Sequence, residues 1–527
     1  MRAFGQWALW LALVASVVGS WAAVAGGAMR RRGLVRHGAR SLHLAMLGLV
    51  VATVVLASGL ITSDFTMRFV ATFSSLIVPR AYRLGGLWGG APGSLLVWTL
   101  ALAVVTSVAL LAHRRAMADR LAWFVPAMGG VVAVMAAVTA FAADPLASLD
   151  MAIREGRGLD GVLQNRWMLV HPPLLLAGSA ATLPLFALTV AALGVRRLDE
   201  AWRTAARAWA LIAWTLLLAG VASGMRWAYT EPGWGGYWAW DPVEVAGAIP
   251  LAILAVLLHV STRRGTHPAE RAILALAAFP ATLIGAWVAR GDTLRTVHGF
   301  AQTPNAMLFG LIASASVVLG VALIFMRRRW LFALSVDASP AAVLGIAARL
   351  SQVGVVLFVV GSIALPFRRE YVTSLNAGER YAAKDVIGRA WTLTSQGESR
   401  YVRSNMFVVS VPFVLARAGR RQGLVVAEER QFIDADEDDI GEPVLRAGIL
   451  FGVLQDVQVQ VSRAESVGSL VRIRFQPLAS LLWLGAGLLV LAAVLGLPSA
   501  FSEAAGAARA RPASDAVVPR TDDAVPE

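Results

Sequence analysis

The chain has 527 residues, 57% of them hydrophobic, a mean hydropathy of +0.65, a formal charge of +14 and no cysteine. So apolar a composition, with repeated runs of about 20 residues, excludes a soluble enzyme and fits a protein that crosses a bilayer many times. The arginines gather between apolar runs, which sets nucleic-acid binding aside, and the absence of cysteine excludes disulfides, thiolate metal sites and a thiol nucleophile, so any sulfur chemistry must come from a partner.

In chain order, apolar runs at 6–27, 42–61, 93–112, 121–143, 169–193, 209–225, 244–260, 272–289, 307–326, 350–366 and 478–497 predict about eleven transmembrane helices. The first is kept as a helix, because no small-residue cleavage site precedes the arginine cluster that follows it. Arg30–Arg32 with Arg36, Arg114–Arg115, Arg196–Arg197, Arg263–Arg264 and Arg327–Arg329 occupy every second connection. That alternation makes those loops cytoplasmic, with the N-terminus outside and the C-terminus inside. Residues 1–330 then form a transmembrane core whose outer loops are 62–92, 144–171, 226–244 and 290–306, followed at 331–366 by a short cytoplasmic connection and one more helix. In the outer segment 367–474, "DVQVQV" and "LVRIRF" alternate apolar and polar side chains as half-buried strands do, which predicts a small β-rich extracytoplasmic domain. A last transmembrane helix is expected at 475–498, and the Ala-, Arg-, Pro- and Asp-rich remainder, 499–527, reads as a disordered cytoplasmic tail. The fold class is thus an all-α polytopic membrane protein with a small β-rich domain.

The outer loop "WAYTEPGWGGYWAWDPVE" at 227–244 combines Trp227, Trp234, Trp238 and Trp240 with Gly233, Gly235 and Gly236. An interfacial aromatic belt accounts for two or three indoles in any membrane protein. The glycines add tight backbone folding and close approach to a flat ligand, which together predict a shelf for a large planar apolar molecule. A planar ligand with a central metal needs axial donors, and imidazole is a common one. Of the seven histidines, His37 and His267 lie in arginine-rich inner loops as solvated polar residues. His171, in "MLVHPPLL", and His298, in "RGDTLRTVHGF", both fall on the outer side, one before and one after the tryptophans. Each reads either as a structural histidine at a helix end or as an axial ligand.

The stretch "GWGGYWAWDPVE" resembles the tryptophan-rich WWD signature of haem-handling membrane proteins. The wider chain resembles the CcmF haem-lyase family of bacterial cytochrome c maturation, also called CycK and grouped with CcsA. The resemblance rests on 63–98, "GLDGVLQNRWMLVHPPLLLAG" at 158–178, "GMRWAYTEPGWGGYWAWDPVE" at 224–244, "ARGDTLRTVHGFA" at 289–301 and "VRIRFQPLASLLWLGAGL", all in the family's order. It implies that His171 and His298 ligate the haem being transferred and that Trp227, Trp234, Trp238, Trp240 and Asp241 form its platform. It implies a second, resident haem b on two intramembrane histidines, of which His259 in "LAVLLHVS" matches the first, about 27 Å along a helix from Asp241. The second match fails, since "ARLSQVGVVLF" places Gln352 where the family has histidine. Three outcomes follow: a five-coordinate haem on His259, a substitute ligand from His43 or His113, or no resident haem. Between "FMRRRW" and Gln352 the chain is also several helices shorter than the familiar form. The implied activity is receipt of haem from the chaperone CcmE and its thioether attachment to the CXXCH motif of apocytochrome c, with CcmH/CcmI-type thiol partners. Its implied place is the periplasmic face of the bacterial inner membrane, and the alternatives are a haem exporter or a non-catalytic haem-binding scaffold.

Overall fold

The computed structural model describes residues 1–114, 117–151, 153–231, 236–262, 266–291, 306–334, 345–433, 439–464 and 468–509. Among these, eleven helices are long and apolar enough to cross a membrane, the number that the hydropathy predicts. They are α1 (Arg2–Ala28), α2 (Arg32–Thr62), α5 (Ala91–His113), α6 (Leu121–Ala137, prolonged by a π-helical turn at Val138–Ala143), α7 (His171–Gly194), α8 (Glu200–Thr230), α9 (Pro242–Thr262), α10 (Pro268–Arg290), α11 (Met307–Phe332), α12 (Ile346–Ala364) and α13 (Ala479–Arg509). Two short helices, α3 (Arg68–Phe73) and α4 (Arg80–Gly89), fold within the loop after α2. Most of α7 is enclosed by neighbours, whereas α12 is largely exposed, which suits lipid on one side of the array and a packed core within it. The last helix outruns its expected end at 498 and reaches Arg509, because the alanine-rich segment read as disordered is itself a strong helix former. Residues 510–527 of the expected tail lie outside the described residues.

Between α12 and α13 the chain forms ten strands: β1 (Arg369–Ser374), β2 (Arg380–Lys384), β3 (Ala390–Ser395), β4 (Ser399–Arg403), β5 (Met406–Arg417), β6 (Arg420–Ile433), β7 (Asp439–Arg446), β8 (Gly448–Leu450), β9 (Gln455–Ala464) and β10 (Gly468–Pro477). One sheet has the order β1-β10-β9-β8 and the other β2-β3-β5-β6-β7, with β4 also paired to β5, all antiparallel. Val457, Val459 and Val461 of β9 and Val471, Ile473 and Phe475 of β10 meet Phe413, Leu415 and Val425 in one apolar core. The alternate residues Gln458, Gln460 and Gln476 are buried too, since the outward face of this sheet is covered by the helices. Gln458 Nε2 donates to the Tyr229 carbonyl at 2.9 Å, Tyr229 Oη donates to Asp456 Oδ2 at 2.9 Å, and Asn405 Nδ2 donates to Gln164 Oε1 at 3.0 Å. Buried polar groups pair in this way because an unmade hydrogen bond costs about 1–3 kcal/mol. The β domain is thereby fixed over the end of α8, beside the tryptophan-rich stretch.

Candidate functional site

The approach to α7 is a single 3₁₀ turn at Arg166–Leu169, capped by the Asn165 side chain, which accepts from the Trp167 amide at 2.9 Å. Pro172 and Pro173 follow His171 in the first helical turn, where proline's fixed φ favours the helix and its missing donor is not required. His171 is thus held at the helix start with its ring against α8. Its Nδ1 lies 2.7 Å from the Gly220 carbonyl oxygen; a carbonyl only accepts, so Nδ1 carries the hydrogen and Nε2 carries the lone pair. Backbone carbonyls behind metal-binding imidazoles hold them in the same tautomer. Glycine at 224 makes this close approach feasible, because a Cβ there would lie 2.5 Å from His171 Cε1 and 2.7 Å from Nδ1. The Trp227 ring stands 6.2 Å away, edge-on at 73°.

Among the described residues, Trp227, Trp238 and Trp240 do not lie on one flat shelf in a single loop. Trp227 belongs to the last turn of α8 and is buried with Leu159, Leu163 and Met168, because the helical run continues through "RWAYT" before the first proline stops it. Trp238 packs with Tyr237 against Met225, Tyr229, Leu365 and Leu482, while Trp240 is 78% exposed. Their rings meet at 86° with centroids 6.2 Å apart; positive φ at Gly236 (110°) turns the chain before Trp238 and positive φ at Trp240 (58°) turns it again at the second indole. Trp234 lies outside the described residues.

Asp241 has a structural task that the tryptophans obscured in the sequence. Its Oδ1 accepts from the Val243 amide at 2.9 Å, and Glu244 Oε2 accepts from the amides of Ala239 at 2.8 Å and Asp241 at 3.3 Å. This reciprocal capping starts α9, with Pro242 at its first position, and "D-P-V-E" spells the signal for it.

Two residues that the sequence pattern does not single out, Glu231 and Asn165, meet beside this turn. Glu231 ends α8 and is 4% exposed, and Asn165 Nδ2 donates to its Oε1. Asn165 therefore ties the turn before His171 to the start of the tryptophan-rich stretch. Burial pushes the Glu231 carboxyl up to about 7, against the pull of Arg430 and Arg446. A lone glutamate after "WAYT" carries no local signal, because its burial is produced by the β domain.

The remaining histidines separate by environment. His298 lies outside the described residues. His259 of α9 and Gln352 of α12 are both exposed on the helix array. His113 is buried and its Nε2 accepts from Trp209 Nε1 at 2.9 Å, which gives that imidazole a structural role and argues against its serving as a substitute ligand. His43 is half-buried. His267 caps α10, its Nδ1 accepting from the Ala269 amide at 3.1 Å, and His37 is exposed.

The profile of the cytochrome c assembly protein family matches residues 88–291, a span that contains the His171 turn, α8 and the tryptophan-rich stretch. The match spans less than half of the chain and marks that part as similar to the family. The chain is 36% identical over 290 residues to the cytochrome c-type biogenesis protein ccl1 of Rhodobacter capsulatus, covering 54% of this chain and 44% of that one. With CcmF of Escherichia coli it shares 35% identity over 325 residues, 61% of this chain and 50% of that one. The chain spans about half the length of the curated relatives it matches. A solved structure titled cytochrome c haem lyase CcmF superposes with a TM-score of 0.72 at 20% identity, covering 94% of this chain and 97% of that one, so the fold is shared. The chain is a multi-pass membrane protein with a β-rich domain between its last two spans.

Proposed function

We propose that this chain acts in cytochrome c maturation by holding a haem on its β-domain face and positioning it for covalent attachment to an apocytochrome. The observation that carries the reading is the His171 tautomer, with Nδ1–H donated to the Gly220 carbonyl 2.7 Å away and a glycine clearing the ring. In this reading His171 and His298 are the axial donors and orient the macrocycle, while Trp227, Trp234, Trp238, Trp240 and Asp241 wall the site. Trp227 and Asp241 do so mainly by holding the ends of α8 and α9. Haem supplies two vinyl groups, and each thiol of the CXXCH substrate adds across one of them: sulfur bonds to one vinyl carbon, hydrogen to the other, with no net oxidation. The chain has no cysteine, so both thiols are the substrate's, kept reduced by CcmH/CcmI-type partners, and haem arrives from CcmE. The chain's own contribution is positioning, which can be worth several kcal/mol of barrier. The β-domain face is periplasmic and the membrane is the bacterial inner membrane, as the arginine-rich loops on the opposite side favour.

A resident haem b would take His259 as its donor. Gln352 is a poor second ligand, because a carboxamide offers iron a weak oxygen where imidazole offers a strong nitrogen. That residue favours a second reading, a haem-binding scaffold without catalysis. The deciding experiment is reconstitution of purified protein with haem-loaded chaperone and reduced apocytochrome. Thioether formation that is lost in His171→Gly and partly restored by imidazole supports the lyase. Haem retention without thioether formation supports the scaffold, and an unaffected His171→Gly, His298→Gly double variant removes the ligand assignment.

A further inference from the structure

At the end of the β domain nearest α13, two turns carry apolar side chains into the open. Ile387, in the β2–β3 turn, and Phe451, Val453 and Leu454, in the β8–β9 loop, are 56–82% exposed. The β8–β9 loop is tied to the first turn of a membrane-spanning helix: the Leu478 amide donates to the Leu454 carbonyl at 2.8 Å, and Ser480 Oγ donates to the Val453 carbonyl. From the other side, the Arg226 guanidinium of α8 lies 4.6 Å from the Phe451 ring. Both anchors are at the ends of spans, so this apolar loop sits at the depth where headgroups give way to acyl chains.

Between the loop and the adjoining sheet is a cavity of about 300 Å³ lined by Arg389, Trp391, Arg417, Gln422, Phe451 and Leu454, among others. Its two cations differ. Arg389 Nε pairs with Asp385 at 2.7 Å, whereas Arg417 lies 5.7 Å from the Trp391 ring and has no carboxylate partner among the described residues. Arg420 and Arg421 follow, exposed, at the start of β6. An apolar tip and a carboxylate-free guanidinium in one recess are complementary to an amphiphile with a negative head.

We propose that this recess binds an acidic glycerophospholipid of the leaflet on the β-domain face, its phosphate at Arg417 and its acyl chains along Phe451, Val453 and Leu454. The lipid would hold the β8–β9 end of the β domain against the bilayer beside α8 and α13. This site is separate from the proposed haem site and does not depend on it. The test uses full-length protein in nanodiscs containing a photoactivatable phosphatidylglycerol, with cross-links mapped by digestion. Cross-linking within 448–457 that falls about fivefold in Arg417→Gln, as expected for one interfacial cation, and recovers in Arg417→Lys supports the proposal. Val453→Asp should also reduce it, and glycerol 3-phosphate in solution should not compete. Equal yields in wild type and Arg417→Gln, full competition by glycerol 3-phosphate, or displacement of the lipid by an apocytochrome peptide would overturn it.

Discussion

Glycine 224 offers the most direct test of how the site is built. In Gly224→Ala the new Cβ would sit 2.5 Å from His171 Cε1, 2.7 Å from Nδ1 and 3.2 Å from Nε2. The ring must withdraw by roughly 1 Å to restore van der Waals separation, and that withdrawal breaks the 2.7 Å hydrogen bond to the Gly220 carbonyl. Alanine gains about 1 kcal/mol of helix propensity, overpacking costs about 1–3 kcal/mol and the hydrogen bond about 1 kcal/mol. Net stability therefore falls by about 1–3 kcal/mol. Function should suffer more, because a displacement of about 1 Å of a positioning group can cost about a hundredfold in rate. Thioether formation in the reconstituted system, measured beside thermal unfolding and the optical spectrum of bound haem, separates the two effects. A folded variant with wild-type attachment and an unchanged spectrum would refute the view that His171 works through its contact with α8.

Glu231 titrates from about 7 when folded, against 4.5 for the ordinary group. The folded state holds the proton more tightly, so stability declines as pH rises from about 4.5 to 7 and stays lower above that. Glu231→Gln should therefore raise the unfolding temperature at pH 8, by up to about 3 kcal/mol of stability, and leave it little changed at pH 4.5; equal shifts at both pH values would count against a buried carboxyl. Asp241→Ala removes the α9 cap and should cost about 1 kcal/mol, with Asp241→Asn nearly neutral; hydrogen exchange in the first turn of α9 reads this directly. Gln352→His should create or strengthen a bis-histidine haem spectrum provided His259 is intact, and a wild-type bis-histidine signal persisting in the His43→Ala, His113→Ala double variant would defeat the reasoning.

Much of this protein is local in origin. The eleven spans follow from runs long enough to satisfy every backbone group within a helix while shedding water, and each such run can be read without its neighbours. The alternation in "DVQVQV" and "LVRIRF" likewise announced strands, and both segments are β strands here. The capping sequence at Asp241 was equally legible, although the neighbouring tryptophans invited a different reading.

What required the folded chain is whatever depends on two distant segments meeting. The environment of His171 is set by Gly220 and Gly224, 49 and 53 positions further along, and no local periodicity records that meeting. Burial of Glu231 comes from strands some two hundred residues away, so its proton affinity is a property of the assembled domain. The tryptophans show the same division: the sequence determined that indoles gather at one boundary of the membrane, because composition alone sets interfacial preference. Which of them is locked in α8, which packs on α13 and which stands in the open was decided by tertiary packing, since that depends on backbone turns and partners that single residues do not encode.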